Sequence, residues 1–296
     1  MAFKKSKKKK LIGLVIAILI VIAAVAFVNS KSDDGNKTDV TDNTDPVYQV
    51  ETTLSDILSE EMTDAPADDV INPVEGEEVV TDVTDLTAAE GNAPATKEEI
   101  IALYNQAANK VKVEAKKVTR NFKNTRYDTS KSILPSALES MANPMIEKYV
   151  KDDTEPVDYV TKEDIIENYP APKQTYSSKL TAADVDEATC IDNGKEYVIT
   201  LKLASCTNPT AGKKVGAACH IMDVSSIKAS DSSMIKKFDA IYEGCVIRCK
   251  IDKATNRVTW ANFYTPFTID ALINILFSEL KTVAVMSYER DYTITY

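Results

Sequence analysis

An α+β domain on a membrane tether is what this 296-residue chain predicts, and three observations carry the prediction. Thr96-Lys-Glu-Glu99 is a capping box ahead of an apolar stripe at helical spacing. Asp192-Asn193-Gly194 sits between two runs rich in β-formers, and Asn-Gly accepts the positive φ angles of a hairpin turn. Most of the chain from 241 to 296 then alternates apolar with polar residues, the pattern of a half-buried strand.

The elements follow in order. Residues 1–10 hold six lysines, and Leu11–Val28 follows as 18 residues without a charge. As a helix that run spans roughly 27 Å, close to a bilayer core of about 30 Å. Lysine asymmetry places the N-terminus in the cytoplasm and the rest outside. A buried core helix would show a polar stripe, and this run has none. Ala24-Val25-Ala26 also fits a signal-peptidase site, so the chain is anchored through 11–28, or secreted if cut after Ala26. A lipid-modified anchor would need a cysteine just behind the run, and the first is Cys190.

Residues 29–96 hold 18 Asp/Glu against Lys31 and Lys37. Low hydrophobicity and same-sign charge predict a disordered, self-repelling linker with a reach of roughly 230 Å. That segment and the basic tail account for the whole net charge of −10, so residues 97–296 are neutral. A neutral domain on an acidic tether argues against nucleic-acid binding, which draws on Lys and Arg for phosphate contacts.

In the domain, Ile100, Tyr104, Ala107, Val111, Ala115, Val118 and Phe122 predict one long amphipathic helix. A second helix is expected over 136–150, kinked by Pro144, and a third over 162–168, opened by Thr161. From Tyr176 the pattern reads as β: a hairpin of 188–191 with 197–203, then a loop over 208–216. Next comes a strand with Ile241, Cys245, Ile247, Cys249 and Ile251 on one face, a turn at 252–256, and a strand at 258–263. Residues 267–277 fit both periods, and their isoleucines and phenylalanines favour a strand. The closing strand, 283–296, puts Tyr288, Tyr292, Ile294 and Tyr296 on one face. The expected architecture is an antiparallel β-meander packed on the long N-terminal helix.

Catalytic signals are thin. His220 is the single histidine, so Ser-His or Cys-His chemistry would have to use it, and along a strand its neighbour Cys219 would face the other way. Ser225-x-x-Lys228 and Ser233-x-x-Lys236 match the Ser-x-x-Lys seed, yet Lys281-Thr282-Val283 stands where that chemistry expects Lys-Thr-Gly. No catalytic set, metal site or cofactor is predicted. Cys219, His220, Cys245 and Cys249 lack zinc-loop spacing, and there is no glycine-rich phosphate loop. Five cysteines allow at most two intramolecular disulfides or a set of buried thiols, both left open. Cys245 and Cys249, about 13 Å apart if on one strand, cannot bridge each other.

Trp260, Phe263, Tyr264, Tyr288 and Tyr292 crowd the last two strands, as ligand contacts in an apolar or carbohydrate groove or as core. The leading expectation is a surface-displayed, membrane-anchored binding domain for a cell-wall, lipid or envelope-protein ligand. The alternatives are an envelope hydrolase using His220 or a Ser-Lys pair, and a structural or regulatory tethered protein.

The layout, with Asp252-Lys-Ala-Thr255, Tyr264-Thr-Pro266 and Asp291-Tyr-Thr-Ile-Thr-Tyr296, resembles membrane-anchored extracytoplasmic proteins of Gram-positive bacteria that carry no assigned function. The likeness covers 97–296 and implies export, but brings no site residue with it.

Overall fold

A computed structural model describes residues 93–296 apart from 137–142, 145, 148–149, 223, 225–234 and 276–277. The apolar run 11–28 and the acidic linker therefore lie outside the described residues, as does most of the helix expected over 136–150. Among the described residues, no helix is long and apolar enough to cross a membrane.

The domain is α+β, and among the described residues its predominantly antiparallel sheet is joined by two named helices. Helix α1 (Lys97–Glu114) begins on the expected capping box: the Thr96 hydroxyl accepts from the Glu99 amide, and the Glu99 carboxylate accepts from the Thr96 amide. It buries Ile100, Ile101, Tyr104, Ala107, Ala108 and Val111 in the same core that the sheet lines.

The helix stops eight residues short of Phe122. Ala115 turns extended at ψ 135°, and Lys117–Tyr127 is strand β1. Val118 and Phe122, expected on the helix, lie on that strand. The reason is tertiary: β1 pairs with the last strand at ten registered positions, from Lys117↔Thr295 to Tyr127↔Met286. A ladder of that length outweighs the weak helical preference of Lys-Val-Thr-Arg-Asn-Phe. So β-structure starts well before Tyr176. Short strands β2 (Asp152–Asp153) and β3 (Val157–Tyr159) pair with the other edge of β1. Helix α2 (Lys162–Asn168) forms where expected, with the Thr161 hydroxyl accepting from the Asp164 amide.

The hairpin β4 (Val185–Asp192) and β5 (Glu196–Leu203) turns at Gly194, φ +76°, as Asn193-Gly194 predicts. After β6 (Cys206–Thr207) and a loop come β7 (Ile235–Tyr242), β8 (Val246–Asp252), β9 (Arg257–Ile275) and β10 (Ser278–Thr295). The spatial order is β2-β1-β10-β9-β8-β5-β4, with β7 continuing the line of β8 along β9. The meander is thus flanked by β1, which brings the first strand beside the last.

One expected face is broken. Between Tyr242↔Phe267 and Val246↔Tyr264, three residues on one side oppose two on the other, a bulge with Gly244 at φ +73°. Pro266 sits opposite and has no amide to give the ladder. The extra residue shifts the alternation, so Ile241 leaves the face that Ile247, Cys249 and Ile251 bury, and Phe238, Ala240 and Tyr242 turn inward instead. The ambiguous stretch is strand through Ile275, and β10 starts at Ser278.

All five cysteines are free thiols, four of them buried and Cys190 half-buried. Burial pushes Cys219 up to about 12 and raises Cys245 and Cys249 further, so the core thiols are poor nucleophiles. Titration with a thiol-reactive disulfide reagent is expected to count one slowly reacting cysteine in the folded protein and five in urea. A native count of three or more would contradict this packing.

Candidate functional site

The inner faces of β9 and β10 and the end of α2 converge on a part-open cleft of about 40 Å³, lined among others by Glu167, His220, Tyr242, Thr265, Phe267, Tyr288 and Arg290. Alternation along β10 places Tyr288, Arg290 and Tyr292 on the buried side. Arg290 is only 4% exposed. A charge at such depth needs compensation, yet no carboxylate reaches it among the described residues. Its Nη1 donates to His220 Nε2 and sits 3.5 Å from the Tyr292 hydroxyl. The guanidinium carbon lies 4.5 Å from the centre of the Tyr288 ring, and Nε has no hydrogen-bond partner. Because a guanidinium only donates, Nε2 is the accepting nitrogen of His220 and the ring proton belongs on Nδ1.

Behind the cleft stands an aromatic triangle. Tyr169, Phe263 and Tyr292 meet edge-on at 5.2–6.0 Å, and the Tyr292 hydroxyl donates to the Asn168 carbonyl at 3.1 Å. On the apolar flank Tyr242 stacks on Phe267 at 5.6 Å, while its hydroxyl accepts from the Met222 amide at 2.8 Å. A second buried arginine, Arg120, lies across from Tyr292 on β1 and is ion-paired with Asp153 at 2.6 Å. Lys123 is also buried, directly across from Arg290.

The segment behind Pro172, which forms one wall, is tied to α1 by Lys112. Its Nζ donates to the carbonyls of Ala171, Gln174 and Tyr176 at 2.5, 3.0 and 3.1 Å. Three carbonyls suit an ammonium, but burial opposes the charge and lowers Lys112 to about 7, with Glu167 pulling it back only partly. The folded state thus releases this proton near pH 7 and the unfolded chain near its ordinary 10.5. The lysine's share of stability is complete above 10.5, falls as pH drops toward 7 and is level below. The stability gap between wild type and Lys112→Met is therefore expected to shift in favour of wild type by roughly 3 kcal/mol from pH 7 to 9.5 in urea titrations. A pH-independent gap would refute the shift.

Of the five aromatic residues expected to contact a ligand, Tyr288 lines the cleft, and Phe263 and Tyr292 back it as buried core. Trp260 and Tyr264 lie on the opposite face of β9, where the Trp260 indole donates to Asp291 at 3.1 Å. The five therefore do not form one groove. His220 lies in the cleft; Ser225, Lys228 and Ser233 fall outside the described residues, and Lys236 is an exposed partner of Glu279. No group of three or more His, Cys, Asp or Glu side chains is placed to hold a metal ion among the described residues. Sequence reasoning missed Arg290. The signal was present in Tyr288-x-Arg290-x-Tyr292, a cation on the inward side of an alternating strand. Comparison with family models, curated proteins and solved structures found no match.

Proposed function

We propose that the chain is a membrane-tethered, surface-displayed binding domain whose ligand site is the cleft between His220 and Arg290. The observation that carries this reading is the buried guanidinium of Arg290, without a carboxylate partner among the described residues, at the wall of a largely carbon-lined cleft. Such an arrangement is costly to the fold and useful to a ligand. The lysine-rich tail, the apolar run 11–28 and the acidic spacer 29–96 support display outside the membrane on a long tether. The hydrolase reading has His220 and Glu167 in one cleft in its favour, but Nε2 is engaged by Arg290, which leaves that nitrogen unsuited to take a proton from a nucleophile.

Native mass spectrometry on the full chain, purified from the cells that produce it, tests the proposal. A small molecule is expected to travel with wild type and to be lost from Ile221→Trp, which fills the cleft. Equal retention in both, or a bare chain in both, would rule the cleft out as the site.

A further inference from the structure

The chemistry of the cleft narrows its ligand. We infer that it takes the carboxylate of a small amphipathic acid, with the carboxylate against Arg290 and the apolar body along Phe267 and Met222; this rests on the cleft being the ligand site.

Arg290 has spent only one side of its fork. Nη1 faces His220 and Tyr292, whereas Nη2 makes no hydrogen bond to a described residue. The other buried arginine shows the contrast, since Arg120 gives its Nη2 to Asp153 at 2.6 Å. Among the described residues, then, one guanidinium has an acidic partner and the other has none. A ligand carboxylate would fill the role for Arg290 that Asp153 fills for Arg120, in a charge-assisted hydrogen bond.

Neighbouring groups select among anions. Phosphate and sulfate carry further charge and oxygens, and among the described lining residues Arg290 is the one cationic side chain, beside the neutral polar groups of His220, Tyr242, Thr265 and Tyr288. The cleft walls at Pro172, Ile221, Met222 and Phe267 are carbon, which suits an alkyl or aryl body and leaves a second charged group unsolvated. Glu167, 3.5 Å from Lys173, adds a negative charge to the lining that further disfavours a polyanion. The cleft is part-open, so a chain longer than the enclosed space can extend outward.

Isothermal titration calorimetry on the full chain in an uncharged detergent tests this with three probes: hexanoate, hexanol and inorganic phosphate. Hexanoate is expected to bind one site, with hexanol and phosphate at least roughly tenfold weaker, on the scale of a charge-assisted hydrogen bond. Arg290→Gln should weaken hexanoate roughly 10- to 100-fold, and Arg290→Lys should lose less, since a point charge replaces the planar fork. Should the glutamine variant fail to fold, the comparison of hexanoate with hexanol on wild type still decides. Hexanol matching hexanoate would sink the carboxylate assignment and leave the cleft as an apolar site. Phosphate binding tighter than hexanoate would sink it in favour of an inorganic or phosphorylated ligand. No binding by any probe would count against the assignment, while a species retained in mass spectrometry would keep the cleft itself in play.

Discussion

Asp153→Ala is expected to destabilise the domain by about 3 kcal/mol, because it strands the guanidinium of Arg120 in the core. The side chain of Arg120 is 2% exposed and its Nε and Nη1 already lack hydrogen-bond partners, so Asp153 is its one acceptor among the described residues. Asp153 itself is 29% exposed, which places the expected loss at the lower end for a broken buried pair. The opposite truncation should behave differently. Arg120→Met removes the charge and keeps much of the packing volume, leaving an aspartate that water can reach, and it should cost under about 1.5 kcal/mol. Combining the two should cost little more than Arg120→Met alone, a coupling of about 2 kcal/mol in a double-mutant cycle. Chemical denaturation of the four proteins measures it, and additive losses would show that the pair is not what holds Arg120 inside.

Tyr292→Ala should cost about 4 kcal/mol, the scale of removing a large buried aromatic side chain. Tyr292 is fully buried and meets both Tyr169 at 5.2 Å and Phe263 at 6.0 Å, so its loss opens a cavity bounded by two rings. β9 and β10 are already registered by their ladder, so what the rings add is the docking of the α2 end, through Tyr169, onto that pair of strands. Tyr292→Phe separates the two contributions. It keeps the ring contacts and loses the hydroxyl's bond to the Asn168 carbonyl, so about 1 kcal/mol is expected. Urea midpoints of the two variants decide; equal losses would mean that the hydroxyl, not the ring, carries the effect.

Much of this architecture was legible because local chemistry and tertiary structure agree. Thr96 and Glu99 cap α1, Thr161 opens α2, and Asn193-Gly194 turns the hairpin; each is decided within a few residues of chain. The failures sit where distant partners decide. Lys117–Phe122 reads as a continuation of α1, yet its fate is set by β10, some 170 residues later. Ile241 reads as sharing a face with Cys249, yet the bulge at Gly244 opposite Pro266 flips the alternation, and neither residue announces its partner. Periodicity cannot see a bulge.

At the site the same division holds. Crowding of aromatic residues on the last two strands was visible, but not which face each takes, so Trp260 and Tyr264 were grouped with residues that point the other way. Between two inward tyrosines, the charged Arg290 is a less ordinary feature of β10 than its aromatic residues. As the single histidine of the chain, His220 is a catalytic candidate by sequence. Its place beside Arg290 gives it a different task, as acceptor and orienter for a guanidinium that the fold leaves without a carboxylate among the described residues.

The central claim is that Arg290 receives the ligand while Arg120 serves the fold. The full chain, labelled with ¹⁵N at arginine and titrated with hexanoate, tests it most directly through the Nε resonances of the two residues. The account predicts a saturable shift of the Arg290 signal, identified by its loss in Arg290→Lys, with Arg120 unmoved. A stationary Arg290 signal at hexanoate saturation, or equal movement of both arginines, would contradict it.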